Sequence, residues 1–413
     1  MRLLQTGDLH LGKLFYDHSL YEDQKYILGC IIEELRTAKK NYAPYDALLI
    51  CGDIYDRAVP PPDAVLLFDE FLTTVHNFFP STAVCLIAGN HDSPRRLSFA
   101  SKLIEAQGIH ICTGTDTLTH PVMLTTELLD GSTERLAVYQ IPYLTPGSLS
   151  AGDTQLRTQQ ELVQEAVNRI YAAHLAKYPG VPAVVSVHLF AQGSQSCDSE
   201  RVCIGNIDQV SPDIFRPFAY TAAGHLHTCQ QRGERLWYAG SPLSYSFGEQ
   251  ADKYLLSVSL DLSDTDISHD MPLPPVTVQK IRLSPLHSTV RLHGSFESFL
   301  NGTDFDSHAQ DYIEICCTDT VLTENPMVLL KTKFPRLLSF RQDEALRISA
   351  ASGSAKYAAV PPDADGQPAA ELFDCFLRDV YGADSDILAQ RTEERELFVR
   401  LANELAAKQE EEQ

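Results

Sequence analysis

Five short clusters in the first 230 residues mix carboxylates, carboxamides and imidazoles. They are Gly7-Asp8-Leu9-His10, Gly52-Asp53-Ile54-Tyr55-Asp56, Gly89-Asn90-His91-Asp92, the single His188, and Gly224-His225-Leu226-His227. Oxygen and imidazole donors without thiolates suit divalent cations engaged in phosphate chemistry. One residue separates Asp8 from His10, and one separates His225 from His227. In extended backbone that spacing puts both side chains on one face, so each pair can clamp a cation. Asp53 stands in the middle of the order and is the candidate to bridge two cations. The preceding glycines, Gly7, Gly52, Gly89 and Gly224, fit tight bends beside the ions. GDxxD or GHxH alone is a common turn composition. Their joint occurrence, in order and each at the end of an apolar run, carries the reading. The other histidines (18, 76, 110, 120, 174, 269, 287, 293 and 308) read as ordinary surface or core residues.

The elements that must position these clusters follow from the runs before them. Residues 3–6, 47–51, 83–88, 184–187 and 219–223 are short apolar stretches, each leading straight into a cluster. Helical patterns lie between them at 24–40, 63–79 and 158–177, and further strands are expected at 236–239 and 254–261. Strand alternating with helix implies an α/β sandwich, in which ligands gather outside the strand ends. Distant clusters would thus meet on one rim.

Near residue 265 the character changes. SDTDISHDMPLPP reads as a linker, so the first domain is expected to span 1–264. Residues 276–350 read as a small α+β domain with strands at 312–317 and 346–348. A Gly/Pro/Ser/Ala-rich linker occupies 351–370. Within 371–413, Leu372, Phe373, Phe376, Leu377 and Val380 lie at helical spacing, as do Leu397, Phe398, Leu401 and Leu405. Two amphipathic helices after a linker point to docking on another protein.

Composition bounds the class. The chain has 413 residues, enough for two or three domains, with 44% hydrophobic and 21% charged residues. No apolar run approaches the ~18 residues of a membrane span. The N-terminus reads as a first strand and not as a signal peptide. Ten cysteines without a CxxC pair argue for reduced thiols in a cytoplasmic protein. The formal net charge is −22, from 55 acidic and 33 basic residues. That balance speaks against a general basic footprint for nucleic acid. Bound cations would invert the sign locally.

DLH, GDIYD, GNHD, a lone histidine and GHLH, in that order, resemble the calcineurin-like metallophosphoesterases over residues 1–260. Within that group, GDLHLGKLFY at 7–16, GNHDSP at 89–94, RVCIGNIDQV at 201–210, GHLHTCQ at 224–230 and YAGSPLSYSFGE at 238–249 are similar to nuclease subunits of bacterial ATP-dependent DNA-processing complexes. The resemblance implies a metallophosphoesterase β-sandwich flanked by helices, a small α+β capping domain that binds DNA, and C-terminal helices docking a coiled-coil ATPase. The implied assembly is a heterotetramer of two nuclease and two ATPase subunits. The implied activity is double-strand exonuclease and single-strand or hairpin endonuclease in DNA repair, recombination and replication. Two divalent cations, manganese by family preference, are implied as well. Asp8, His10, Asp53 and His227 would hold one, and Asp53, Asn90, His188 and His225 the other. His91 would stay off the metals and face the scissile phosphate. Archaeal relatives carry a second histidine where this chain has Asp56, which leaves Asp56 a place behind the ligands. The resemblance also implies a homodimer through helices near 63–79 and 95–107.

Two cations about 3.5–4 Å apart activate a water, neutralise phosphate oxygens and align the displacement. His91 suits the leaving sugar oxygen as a general acid or hydrogen-bond donor. Asp92 is expected either to orient His91 or to serve as a turn or cap residue. Ser93-Pro94 resembles a helix start. Lys13, Arg57, Arg95 and Arg96 follow rim clusters and are candidates for DNA-phosphate contact. The competing readings are a nucleotide or small-molecule phosphoesterase with the same centre, and a non-catalytic scaffold for the ATPase.

Overall fold

The computed structural model describes residues 1–342, apart from 128–130, 152–153, 196–208, 250–251, 267 and 320–323, together with 397 and 400. Met1–Asp343 form one compact unit, and Glu344–Gln413 a second. The strand expected at 346–348, the linker at 351–370 and the helices of 371–413 lie outside the described residues.

Two six-stranded sheets face each other. The first runs in the order Val276–Leu283, Lys253–Leu260, Arg2–Thr6, Ala47–Ile50, Ala83–Ile87 and Ile109–Cys112. The second runs Gln230–Arg232, Leu236–Tyr238, Tyr220–Gly224, Ala183–His188, Thr133–Ile141 and Val122–Glu127. Strand alternation explains why both faces of each sheet are apolar. Leu4, Leu48, Ile50, Val84 and Leu86 point outward, where the helices Tyr21–Lys40 and Pro62–Phe78 cover them. Leu3, Ala47, Leu49 and Cys85 point inward and meet Leu136, Val138, Val184 and Ala222 of the second sheet. Ala137, Tyr139, Val185 and Val187 take the far side of that sheet, beneath the helix Gln159–Lys177. Thr158 and Glu161 start this helix with a reciprocal capping box. Fully burying one such aliphatic side chain is worth about 1.5–3 kcal/mol.

The strands Arg2–Thr6, Ala47–Ile50 and Ala83–Ile87 are mutually parallel, as are Ala183–His188 and Tyr220–Gly224. Their carboxyl ends therefore emerge together within each sheet, and the clusters follow those ends directly.

Two expectations for the middle of the chain are corrected. The segment 263–275 is no free linker: Met271 is buried in the core beneath the second sheet, and Asp266 and Leu273 bridge to each other. Val276–Leu283 does not open the small domain, because it pairs along its whole length with Lys253–Leu260 and forms the edge of the first sheet. The smaller unit begins at Thr289–Gly294, which pairs in parallel with Tyr312–Cys317, itself paired in parallel with Leu337–Gln342. Phe299, Ile313, Ile315, Leu330, Phe334 and Leu337 form its separate core. Asp23 of the first long helix ties this unit down, accepting from the Tyr312 hydroxyl at 2.6 Å and the His287 N–H at 3.2 Å.

The single helix expected near 95–107 is also corrected. Pro94–Leu97 and Ser101–Ile104 are separate turns, broken at Ala100 with φ +59°, and a 3₁₀ turn Glu105–Gln107 follows. Pro94 opens the first turn as expected, but Ser93 makes no side-chain cap. Of the apolar residues there, Leu67, Phe71 and Leu97 are core, while Val65, Leu66, Phe99 and Leu103 are exposed.

Candidate metal centre

The clusters converge at the shared rim, and the backbone is bent to achieve it. Asp8, His10, Asp53 and His225 all have positive φ, at +52°, +44°, +48° and +105°. Such conformations cost non-glycine residues on the order of 1–3 kcal/mol each and persist only where the surroundings enforce them. Main-chain bonds supply the enforcement: Asp8 N–H donates to the Gly52 carbonyl at 3.0 Å and His10 N–H to the Asp53 carbonyl at 2.9 Å. The glycines do a different job from the one their positions suggested. Of the four, only Gly52 is left-handed, with φ +91°. Gly89 and Gly224 are required by close approach, since a Cβ would lie 2.1 Å from Asp53 Oδ1 and 1.8 Å from the Cys51 carbonyl oxygen respectively.

Three donor groups result, and two of them gather the residues expected as ligands. Asp8, His10 and His227 bring one ligand atom each within 4.8 Å of one another, and so do Asp53, His188 and His225. Asn90 joins the second group, its Oδ1 lying 3.0 Å from His188 Nε2 and 2.9 Å from His225 Nδ1. The groups meet at Asp53, whose Oδ2 is 3.5 Å from His188 Nε2 and 3.7 Å from His10 Nε2. All seven residues taken from the sequence as ligands are therefore brought together.

The side chains fit cations. His10 is 2% exposed, and neither ring nitrogen makes a hydrogen bond among the described residues. Their nearest partners are carboxylate oxygens of Asp56 at 3.5 Å and Asp53 at 3.7 Å, too long for good hydrogen bonds, and ligation would satisfy one of these buried nitrogens better. His188 presents a defined nitrogen. Its Nδ1 sits 2.8 Å from the Cys51 carbonyl, which can only accept, so Nδ1 carries the hydrogen and Nε2 faces Asp53. Burial opposes charging of His188, yet the Asp53 carboxylate beside it raises the pKa to about 9. Burial, with the His188 charge close by, pushes His225 down to about 3. Burial works to raise the Asp53 carboxyl, but His188 and His10 outweigh it and hold the carboxyl well below its usual range.

His91 lies outside these two groups but makes the third with His10 and Asp56, their ligand atoms again within 4.8 Å of one another. Its main-chain N–H donates to Asp53 Oδ1 at 2.9 Å, and its ring Nδ1 lies 2.8 Å from the Asp56 carbonyl. The ring meets His10 edge-on at 4.8 Å between centroids. Asp92 does not orient that ring. Its carboxylate accepts from the N–H groups of Gly89, Ile54 and Tyr55 at 2.9, 3.1 and 3.0 Å, tying two clusters together. Burial and the Asp53 charge push its carboxyl up, against the pull of those three donors. Asp56 takes the Lys13 ammonium at 2.7 Å, and its carboxylate comes within 3.5 Å of His10 Nδ1. Lys13 is thereby engaged within the rim. Arg57, Arg95 and Arg96 are exposed beside it.

Sequence reasoning missed Glu249, Lys253 and Tyr245. Glu249 Oε1 lies 3.1 Å from His227 Nδ1, and Lys253 Nζ is 2.6 Å from Glu249 Oε2. Tyr245 sets its ring edge against His10 and His227 and donates its hydroxyl to the Leu9 carbonyl. Glu249 and Tyr245 sit inside the YAGSPLSYSFGE stretch, but nothing in their spacing from His227 signals the contact.

Residues 1–139 match the family described as calcineurin-like phosphoesterase. Over 345 residues, covering 82% of this chain and 84% of the relative, the sequence is 27% identical to the SbcD subunit of the SbcCD nuclease from Staphylococcus epidermidis. Among solved structures, that of TT1561 from Thermus thermophilus aligns with a TM-score of 0.35 and 14% identity, covering 68% of this chain and 98% of that one.

Proposed function

We propose that this calcineurin-like phosphoesterase chain is the nuclease subunit of an SbcCD-type complex, hydrolysing DNA phosphodiester bonds on a pair of divalent cations, manganese by preference. One observation carries the reading: two adjoining donor groups meet at Asp53, with an imidazole, His91, beside them but outside both. Asp8, His10, Asp53 and His227 would hold one cation, and Asp53, Asn90, His188 and His225 the other. The bound pair would supply charge for the phosphate oxygens and an activated water. The chain's own contribution is placement. His91, held by the Asp53 carboxylate and the Asp56 carbonyl, offers its Nε2 to the leaving sugar oxygen. Arg57, Arg95 and Arg96 supply local positive charge for the DNA backbone on an otherwise acidic protein.

The reading extends to partners in the cytoplasmic nucleoid. Residues 371–413 would dock an SbcC-type ATPase, in a heterotetramer of two subunits of each kind. The exposed Val65, Leu66, Phe99 and Leu103 would pair two copies of this chain. Sedimentation of a Leu66→Glu, Leu103→Glu variant should give a monomer. A dimer unchanged by both charges would move the interface elsewhere.

The deciding experiment is an assay on linear duplex and hairpin DNA with Mn²⁺, with and without the ATPase. Cleavage of both substrates is expected. Rapid turnover of nucleotides with DNA left intact would replace this reading by that of a small-molecule phosphoesterase.

A further inference from the structure

The two donor groups are supported from behind in different ways. His188, in the second group, is fixed by a main-chain oxygen, that of Cys51. His227, in the first, is fixed by a side chain. Glu249 is 5% exposed, and both of its oxygens are engaged. Oε1 faces His227 Nδ1 at 3.1 Å and the Tyr245 N–H at 3.2 Å. Oε2 faces Lys253 Nζ at 2.6 Å and Ser241 Oγ at 3.4 Å. Lys253 is 7% exposed and directs its three ammonium hydrogens to Glu249 Oε2, Ser241 Oγ at 2.8 Å and the His227 carbonyl at 3.1 Å. The carboxylate cannot turn without breaking several of these bonds, and the same lysine anchors the main chain of the histidine it serves.

We infer that Glu249, backed by Lys253, is the positioning residue for His227 and sets how tightly the chain holds the cation framed by Asp8, His10 and His227. This rests on the two-cation reading above. A carboxylate on Nδ1 fixes that nitrogen as the donor, turns Nε2 toward the cation and makes it a stronger ligand. Three bonds from one ammonium to one small network keep the carboxylate charged and still, despite its burial. The second position has no equivalent pair among the described residues, so Glu249 bears on it only through the shared Asp53.

The test is a calorimetric Mn²⁺ titration of the full chain and of Glu249→Gln with Lys253→Met. That double variant removes both charges together and preserves side-chain volume, so no buried charge is left unpaired. Melting of the metal-free proteins reports folding. The expected result is one Mn²⁺ bound as in the wild type and one bound about 10–100-fold more weakly. Electron paramagnetic resonance at one equivalent should show isolated Mn²⁺ where the wild type begins to form a coupled pair. Glu249→Gln alone keeps one acceptor oxygen, for Nδ1–H, and should weaken the same step, while the Lys253 ammonium left without its anion lowers the melting temperature. Wild-type affinity for both cations in a folded double variant would overturn the inference while leaving the two-cation reading standing. A wild-type chain that binds no pair of Mn²⁺ ions would overturn both.

Discussion

His91 Nδ1 lies 2.8 Å from the main-chain oxygen of Asp56. A carbonyl only accepts, so Nδ1 carries a hydrogen in every protonation state and Nε2 is the atom left for substrate. The neutral ring can accept through Nε2. The charged ring can donate, and the same carbonyl steadies it. His91→Ala should therefore lower DNA cleavage by about 10²–10⁴-fold with Mn²⁺ affinity unchanged. The loss should be far smaller for a nitrophenyl phosphodiester, whose leaving group needs no proton. Equal loss on both substrates in kcat/KM would remove the leaving-group role.

Asp92 ties the second and third clusters through three main-chain donors. Asp92→Asn keeps the shape but turns an NH₂ toward one or more of those N–H groups. A loss of about 2–4 kcal/mol is expected, or roughly 3–6 °C in the melting temperature of a unit this size. Cation affinity should fall with it, because Gly89 and Ile54 frame Asn90 and Asp53. Calorimetry on the metal-free and Mn²⁺-loaded variant would reveal both. An unchanged melting temperature would contradict the role.

Gly89→Ala isolates close packing from backbone strain, since Gly89 has no left-handed φ. The new methyl would stand 2.1 Å from Asp53 Oδ1. Asp53 must give way, and overpacking costs about 1–3 kcal/mol. The larger consequence should be loss of paired Mn²⁺ binding, measured by titration. A variant that still binds two cations at wild-type affinity would mean that Asp53 is not needed where it stands.

His174 gives a pH dependence remote from the rim. Its Nε2 donates to the Val181 carbonyl at 2.9 Å, and its Nδ1 accepts from the Tyr139 hydroxyl at 3.0 Å. Burial lowers its pKa below the ordinary value of 6.5. The unfolded chain therefore binds the proton first, and folding stability falls as pH drops below about 6.5, levelling off only below the folded pKa. One such group contributes a slope of at most about 1.4 kcal/mol per pH unit. His174→Gln keeps a donor and an acceptor but cannot titrate. Thermal unfolding of the metal-free protein from pH 7.5 to 5 should be flatter in the variant. Parallel curves would show that His174 is not a source of the slope.

The site was legible because each ligand-bearing cluster closes an apolar run, and parallel strands deliver all such ends to the same side. That is a local pattern with a topological consequence, and it located Asp8, Asp53, Asn90, His188 and His225 without any contact being known. Glu249 and Lys253 carry no such mark. Their link to His227 is made only when Glu249 and Lys253 come to lie beneath the GHLH turn, a purely tertiary event. The role of Asp92 was also hidden, because a carboxylate binding three main-chain donors from two loops looks in sequence like any turn aspartate. The proline-rich stretch around Met271 misled for the opposite reason. Its composition is that of a linker, yet one buried methionine and one bridge fix it against the sandwich.

The first sheet is completed out of order. Arg2–Thr6 lies between Ala47–Ile50 and Lys253–Leu260, and the latter pairs in turn with Val276–Leu283. Asp8, His10, Asp53 and Asn90 are thus made early in synthesis. His188, His225 and His227 come a hundred residues later, and the edge strands later still. A growing chain carries half a centre until His227 is made, and an open sheet flank until about residue 283 has emerged. The donor set is therefore incomplete in every nascent fragment that ends before His227.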